Sequence, residues 1–253
     1  MRLVTKCWTG AAVTVLENGG LIGRGPVNIV VIGKWSKDAA MPLADLGTRG
    51  WALVDGVSSR EDLLELAKAL GHPEPTPNGE TVKEIRVTKA NEARPGTQSA
   101  LFGIGRFPLH TDTVFWPVPV RYVVLRAQGD TRRPTTVMAF EDLLQKCGSG
   151  ARALVERSVW IAGTSSRRFY CSLRFRERGS IGWRYDGDFM SPFNDAARVL
   201  HEELRQLVSS AHAHSIRWSE DVALVVCNWT TLHGRGPRPD DEGTRVIERI
   251  YVR

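Results

Sequence analysis

Leu109-His110-Thr111-Asp112-Thr113 decides how this 253-residue chain is read, together with a distant stretch, Asn228-Trp229-Thr230-Thr231-Leu232-His233-Gly234-Arg235. Side chains two apart in an extended strand leave the same face, so His110 and Asp112 are expected to project together. His233 joins them only if the fold brings it back. Two histidines and one carboxylate on one side of a metal, with the remaining positions open, form a set that suits Fe(II). Each piece alone is weak. HxD occurs by chance, and a single buried histidine is more often a hydrogen-bonded core residue.

The tail of the chain sharpens the reading. A Pro/Gly/Asp-rich loop runs from Gly236 to Gly243, followed by Thr244-Arg245-Val246-Ile247-Glu248-Arg249-Ile250-Tyr251-Val252. Read as a strand, Arg245, Ile247, Arg249 and Tyr251 share one face, and Val246, Glu248, Ile250 and Val252 share the other. Two arginines on one face, close behind a candidate metal ligand, suit a dicarboxylate. The guanidinium fork matches a carboxylate and keeps its charge at any working pH.

Taken together, HTD, NWTTLHGR and TRVIER resemble the Fe(II)/2-oxoglutarate dioxygenases of the TauD and clavaminate-synthase-like group. The resemblance runs from about Gly50 to the end. The interval from His110 to His233, 233 − 110 = 123 positions, matches the long insertion of that branch rather than the shorter interval of plant-type and AlkB-type relatives. The resemblance implies His110, Asp112 and His233 as metal ligands, with Fe(II), 2-oxoglutarate and O₂ as cofactor and co-substrates. Arg245 matches the position that pairs with the far carboxylate of 2-oxoglutarate. Arg249 would face its other end or an acidic group of the substrate. Relatives also carry a GGxT motif whose threonine helps hold that carboxylate. This chain departs from it, having no paired glycines before Thr135-Thr136. Thr136 is the first choice and Thr135 the alternative.

The same resemblance points to a substrate pocket. The segment before HxD often forms part of a lid in relatives, which makes Gln98, Ser99 and Phe107 pocket candidates. Trp183-Arg184-Tyr185-Asp186-Gly187-Asp188-Phe189-Met190-Ser191-Pro192 resembles a stretch whose acidic residues meet the cationic end of an amino-acid substrate. Arg184, Asp186 and Asp188 are the candidates there. The two aspartates serve equally well as turn or helix caps. The implied reaction decarboxylates 2-oxoglutarate to succinate and oxidises an unactivated C–H bond, with hydroxylation expected and desaturation or ring closure also within reach. The substrate is read as a small molecule, an amino acid or amine of specialised metabolism. Asp112 argues against halogenation, since related halogenases carry a small residue there.

Many short strands and few helices, with this ligand order, predict a mainly β fold: a double-stranded β-helix (jelly roll) with helices packed outside, in a single domain spanning 1–253. Residues 1–40 are read as an N-terminal hairpin extension, from the runs Ala12–Leu16 and Val27–Ile32 with Asn18-Gly19-Gly20 between them. Ser58-Ser59-Arg60-Glu61 reads as a capping box for a helix burying Leu63, Leu64, Ala67 and Leu70. A second helix, Asp195 to Ala211, is expected to bury Ala196, Val199, Leu200, Leu204, Leu207 and Val208. Four cysteines lack CxxC spacing, so neither a zinc knuckle nor a disulfide framework is indicated. No apolar run spans a bilayer and no signal-peptide pattern opens the chain, so a cytoplasmic protein is expected. The net charge of +6 is spread out and reads as a solvated basic face rather than a nucleic-acid footprint. Two other functions stand beside the oxygenase: a non-catalytic metal-binding jelly roll or sensor, and a nucleic-acid-directed dioxygenase. Composition says nothing of the oligomeric state.

Overall fold

The computed structural model describes the backbone of residues 2–8, 11–17, 32–34 and 43–253, apart from 77, 130, 165–166, 211 and 239–245, and side chains from residue 46 onward. Two antiparallel sheets face one another. The smaller has four strands in the order His214–Ile216, Thr135–Ala139, Thr231–Arg235, Phe107–His110. The larger runs Ile32–Lys34, Trp51–Asp55, Val222–Cys227, Tyr122–Gln128, Val246–Val252, Pro73–Glu74, with Lys83–Arg86 also pairing onto Val246–Val252. Only Ile32–Lys34 joins in parallel, beside Trp51–Asp55.

Strand alternation sorts the apolar side chains into three cores. Leu125, Leu224, Val226, Ile247 and Tyr251 from the large sheet meet Val137 and Ile216 from the small one, filling the space between the sheets. Their neighbours in sequence, among them Val124, Val225 and Ile250, turn outward onto Leu63, Leu66 and Ala67 of the helix Arg60–Leu70. Leu109, Met138 and Leu232 turn outward from the small sheet onto Phe140, Leu200 and Leu204. Phe140 and its neighbours lie in the helix Phe140–Lys146, and the two leucines in the helix Asp195–Ser210. Each sheet therefore buries one face on its partner and the other on helices, which is the jelly-roll architecture expected.

The sequence-predicted elements differ in detail. The helix at 60 is capped by Ser59, whose side chain accepts from Asp62 N while Asp62 answers the cap backbone; the box is one residue later than Ser58/Glu61. Leu66 is fully buried in place of Leu64 and Leu70, which pack only partly. In the later helix Ala197 is buried rather than Ala196, and Val199 is 52% exposed. At the N-terminus Arg2–Trp8 pairs with Ala11–Glu17 as an antiparallel hairpin, which takes in the first of the two runs. Residues 27–31 of that second run lie outside the described residues. Among the described residues no helix is long and apolar enough to cross a membrane.

Candidate active site

His110 and His233 are cross-strand partners, directly opposite in register. Because Leu109 and Leu232 point outward to the helices, the following residue of each strand points inward. The two imidazoles meet between the sheets with ring centroids 4.6 Å apart. Asp112 arrives differently from the expectation. The strand Phe107–His110 stops at the histidine, and residues 112–115 form a turn. The carboxylate nevertheless reaches back. Its Oδ1 lies 3.8 Å from His110 Nε2 and its Oδ2 lies 3.4 Å from His233 Nε2. One ligand atom from each of the three residues falls within 4.8 Å of the others, and all three residues are buried.

Several bonds hold that turn. Asp112 N donates to Asn228 Oδ1 at 2.7 Å, and Asn228 Nδ2 donates to Asp112 O at 3.0 Å and Val120 O at 2.9 Å. The Asn228 amide thus clamps both sides of the ligand's backbone. Thr113 sits in the left-handed region, φ 57, at a cost of about 1–3 kcal/mol. Its hydroxyl offsets part of that by donating to Asp112 O and accepting from Val120 N. Thr111 makes three hydrogen bonds with the Tyr185 backbone, tying the ligand stretch to the acidic segment. Sequence reasoning missed Asn228. Its signal was a buried-side amide immediately beside the second ligand strand.

The three side chains fit a cation. His110 Nδ1 lies 3.0 Å from Pro108 O, which can only accept, so that nitrogen carries the proton. Burial opposes a charge on the His110 ring, but the Asp112 carboxylate, with Asp186, pushes its pKa up. Nε2 and the carboxylate face each other across 3.8 Å in a buried site, an arrangement that calls for a positive charge between them, a place a metal ion can take from a proton. Burial opposes ionisation of Asp112, but the Arg249 guanidinium and the two imidazoles hold its carboxyl well below the usual carboxylate range. Burial, with His110 and Arg249 adding to it, pushes the His233 imidazole down, which keeps it neutral and ligand-competent.

A cavity of about 150 Å³ opens onto both histidines. Its apolar walls come from Ile85, Val87, Leu125 and Ile247, and Gln98, Ser99, Thr135, Arg235 and Arg249 add polar groups, so the predicted pocket residues Gln98 and Ser99 both line it. Arg249 and Ile247 share the inward face, as the alternation predicted. Arg249 Nη1 lies 3.2 Å from Asp112 Oδ2, its guanidinium covers the Tyr251 ring at 4.3 Å, and its buried Nε has no hydrogen-bond partner. Thr136 does not line the cavity; Thr135 does. Their strand points Thr135 and Val137 inward, and Thr136 and Met138 outward. Arg245 lies outside the described residues.

A second cavity, about 120 Å³, lies on the other side of His110. Gln98, Phe107 and His110 wall both cavities. Asp186 and Asp188 line the second. Asp186 also makes the turn anticipated for it: Oδ1 accepts from Asp188 N and Phe189 N, and Oδ2 accepts from Gln98 Nε2 at 2.5 Å. Burial pushes both aspartates upward, most directly Asp186.

Arg184 lines neither cavity. It is buried and donates to the carbonyls of Val114, Trp116 and Pro117, with its guanidinium 4.9 Å from the Phe175 ring. It shares parity with Asp186, but the strand ends at Trp183 and the three carbonyls behind the ligand turn capture it. Arg184→Leu strands those carbonyls and is expected to cost about 3 kcal/mol in urea unfolding. A loss under ~1 kcal/mol would remove Arg184 as the anchor of this turn.

No family model and no curated protein sequence matches the chain. Solved structures do. The fold is that of Fe/α-ketoglutarate-dependent oxygenases, and the His-Asp-His cluster sits where two strands and a turn of that fold converge. An asparagine oxygenase in complex with Fe(II), 2S,3S-3-hydroxyasparagine and succinate matches with TM-score 0.66 and 19% identity, over 83% of this chain and 76% of that one. PvcB of Pseudomonas aeruginosa, an Fe, α-ketoglutarate-dependent oxygenase from an isonitrile synthetic pathway, matches with TM-score 0.67 and 18% identity, over 98% and 94%. The non-haem iron oxygenase OrfP, in complex with Fe, succinate and (3S)-hydroxy-L-Arg, matches with TM-score 0.62 and 20% identity, over 83% and 77%.

Proposed function

We propose that the chain is a non-haem Fe(II)/2-oxoglutarate-dependent oxygenase that hydroxylates a small molecule of the amino-acid or amine class. The observation that carries this is the buried set of two imidazoles and one carboxylate, each with a ligand atom turned to a common point, in a fold shared with iron oxygenases. His110, Asp112 and His233 would hold Fe(II). With 2-oxoglutarate and O₂, that iron supplies the oxidising power, yielding succinate and CO₂ and oxidising a C–H bond of the substrate.

The chain's own residues set the conditions. Pro108 O fixes the His110 tautomer, and Asn228 fixes the turn that carries Asp112. Ile85, Val87, Leu125 and Ile247 keep bulk water from the iron-facing cavity. That cavity takes 2-oxoglutarate, with Thr135 and Arg249 among its polar contacts. Arg245, at the position that pairs with the far carboxylate in the enzymes the sequence resembles, is assigned that contact. The substrate approaches from the Gln98, Phe107, Asp186 and Asp188 side. The oxygenase is favoured over a metal sensor by the size of the cavity beside the ligands, which suits a small dicarboxylate. It is favoured over a nucleic-acid enzyme by the acidic character of the second cavity.

The test is anaerobic loading with Fe(II), then O₂ and 2-oxoglutarate, with succinate measured with and without candidate amino acids. Metal-dependent succinate is expected even without substrate, and none at all refutes the proposal. Arg245→Ala is expected to raise the KM for 2-oxoglutarate by roughly tenfold or more, the effect of losing one hydrogen-bonded charge pair. An unchanged KM would remove Arg245 from this role.

A further inference from the structure

Arg249 lines the iron-facing cavity, yet few hydrogen bonds hold it. Among the described residues they go only to Asp112, from Nη1 to Oδ2 at 3.2 Å and to Oδ1 at 3.4 Å, and its buried Nε makes none. A carboxylate that shares its charge with a metal ion attracts a guanidinium less, so these bonds alone do not secure the side chain. One contact of Arg249 is independent of Asp112. Its guanidinium carbon lies 4.3 Å from the centroid of the Tyr251 ring. The two residues are two apart on the strand Val246–Val252 and share its inward face, so the arginine leans along the strand onto the ring. Tyr251 is itself fixed. It is buried in the core between the sheets, and Trp116, from the turn behind Asp112, meets its ring in a T-shaped arrangement with centroids 6.2 Å apart. The Arg253 guanidinium covers Trp116 in turn at 5.1 Å, and Glu74 holds Arg253 at 3.2 Å. Cations and rings thus alternate from the cavity to the surface.

We propose that Tyr251 is a positioning residue for co-substrate binding: its ring holds the Arg249 guanidinium in place for a carboxylate of 2-oxoglutarate. The inference rests on the oxygenase reading above and assigns a role within it. Tyr251 lines neither cavity, so it acts through Arg249 and not on the ligand. An aromatic ring suits this task better than an acid. Its negative face attracts the cation without occupying any N–H group, so the guanidinium fork stays open to a carboxylate. The outer face of the same strand shows the alternative. There the Glu248 carboxylate takes both Nε and Nη2 of Arg126, and that guanidinium is committed to the protein.

The experiment measures 2-oxoglutarate binding by calorimetry, with the full chain loaded with Fe(II) and kept anaerobic. Tyr251→Phe keeps a ring under the cation and is expected to bind within about threefold of the parent. Tyr251→Leu is expected to bind about tenfold more weakly, the worth of a desolvated cation–π contact. In an Arg249→Gln background the two exchanges should differ by less than about twofold, because no cation remains for the ring to hold. Pentafluorophenylalanine incorporated at the same position keeps the shape of a ring and strips its negative face. It separates the contact from packing, serves where the leucine variant fails to fold, and is expected to bind about as weakly as that variant. The proposal is overturned if the leucine and fluorinated variants bind as tightly as Tyr251→Phe, or if the loss from Phe to Leu is as large without Arg249 as with it. Binding by the parent in either case leaves the oxygenase reading standing while this assignment falls. A parent that binds no 2-oxoglutarate sinks that reading itself.

Discussion

Asp112→Ala is expected to abolish divalent-metal binding and succinate formation together. The carboxylate is the only anion between two imidazoles and the Arg249 guanidinium, at 3.8, 3.4 and 3.2 Å. Removing it leaves two neutral rings facing a buried guanidinium, and a dication placed there would be repelled. Loss of a partner outside the ligand set costs 10–100-fold in metal affinity, so loss of a ligand that also carries a negative charge is expected to exceed about 100-fold. Asp112→Asn separates charge from shape. The amide keeps the volume of the side chain and leaves the backbone clamp to Asn228 intact, so the chain should fold while metal binding is still lost. Titration with Fe(II) or Co(II) under nitrogen checks both variants, and affinity within threefold of the parent in either would remove Asp112 from the metal.

Most of the site was legible because alternation is rigid. Once Leu109 and Leu232 are outward, His110 and His233 must be inward, and the same parity joins Ile247 to Arg249. What failed lay where alternation gives no information. Thr135-Thr136-Val137-Met138 is buried on both faces, between the facing sheet and the helices, so its pattern does not say which threonine is inside. Asp112 and Arg184 sit just past strand ends, where parity lapses and hydrogen bonds decide. Asn228 orients the first by holding its backbone, and the carbonyls of Val114, Trp116 and Pro117 capture the second. Asp186 carried two readings, turn former and pocket acid, and it is both a turn former and a wall of the second cavity.

Gly234→Ala is expected to disable the centre without touching a ligand. Gly234 stands between His233 and Arg235, where the register to the neighbouring strand slips: His233 faces His110, but Arg235 faces Phe107. The extra residue on the other strand, next to a proline that offers no N–H, bulges towards the glycine. A Cβ there would lie 2.7 Å from Phe107 O and 3.0 Å from Pro108 O, both backbone atoms that cannot rotate away. The strands must part by several tenths of an ångström at the point where the two histidines are paired. Pro108 O also fixes the His110 tautomer, so the same displacement disturbs the proton on Nδ1. About 2–3 kcal/mol of stability is expected to go, in the range of overpacked cores, and metal affinity should fall by about tenfold or more, as for a lost supporting contact. Gly47→Ala provides the contrast. It lies in the helix Leu43–Arg49 with nothing within 4 Å of an added Cβ, so the exchange should stabilise by about 0.5–1 kcal/mol and leave the metal untouched. Urea unfolding and metal titration of the two variants decide the matter. If Gly234→Ala binds metal and resists urea as the parent does, the close approach of these strands is not what brings the histidines together.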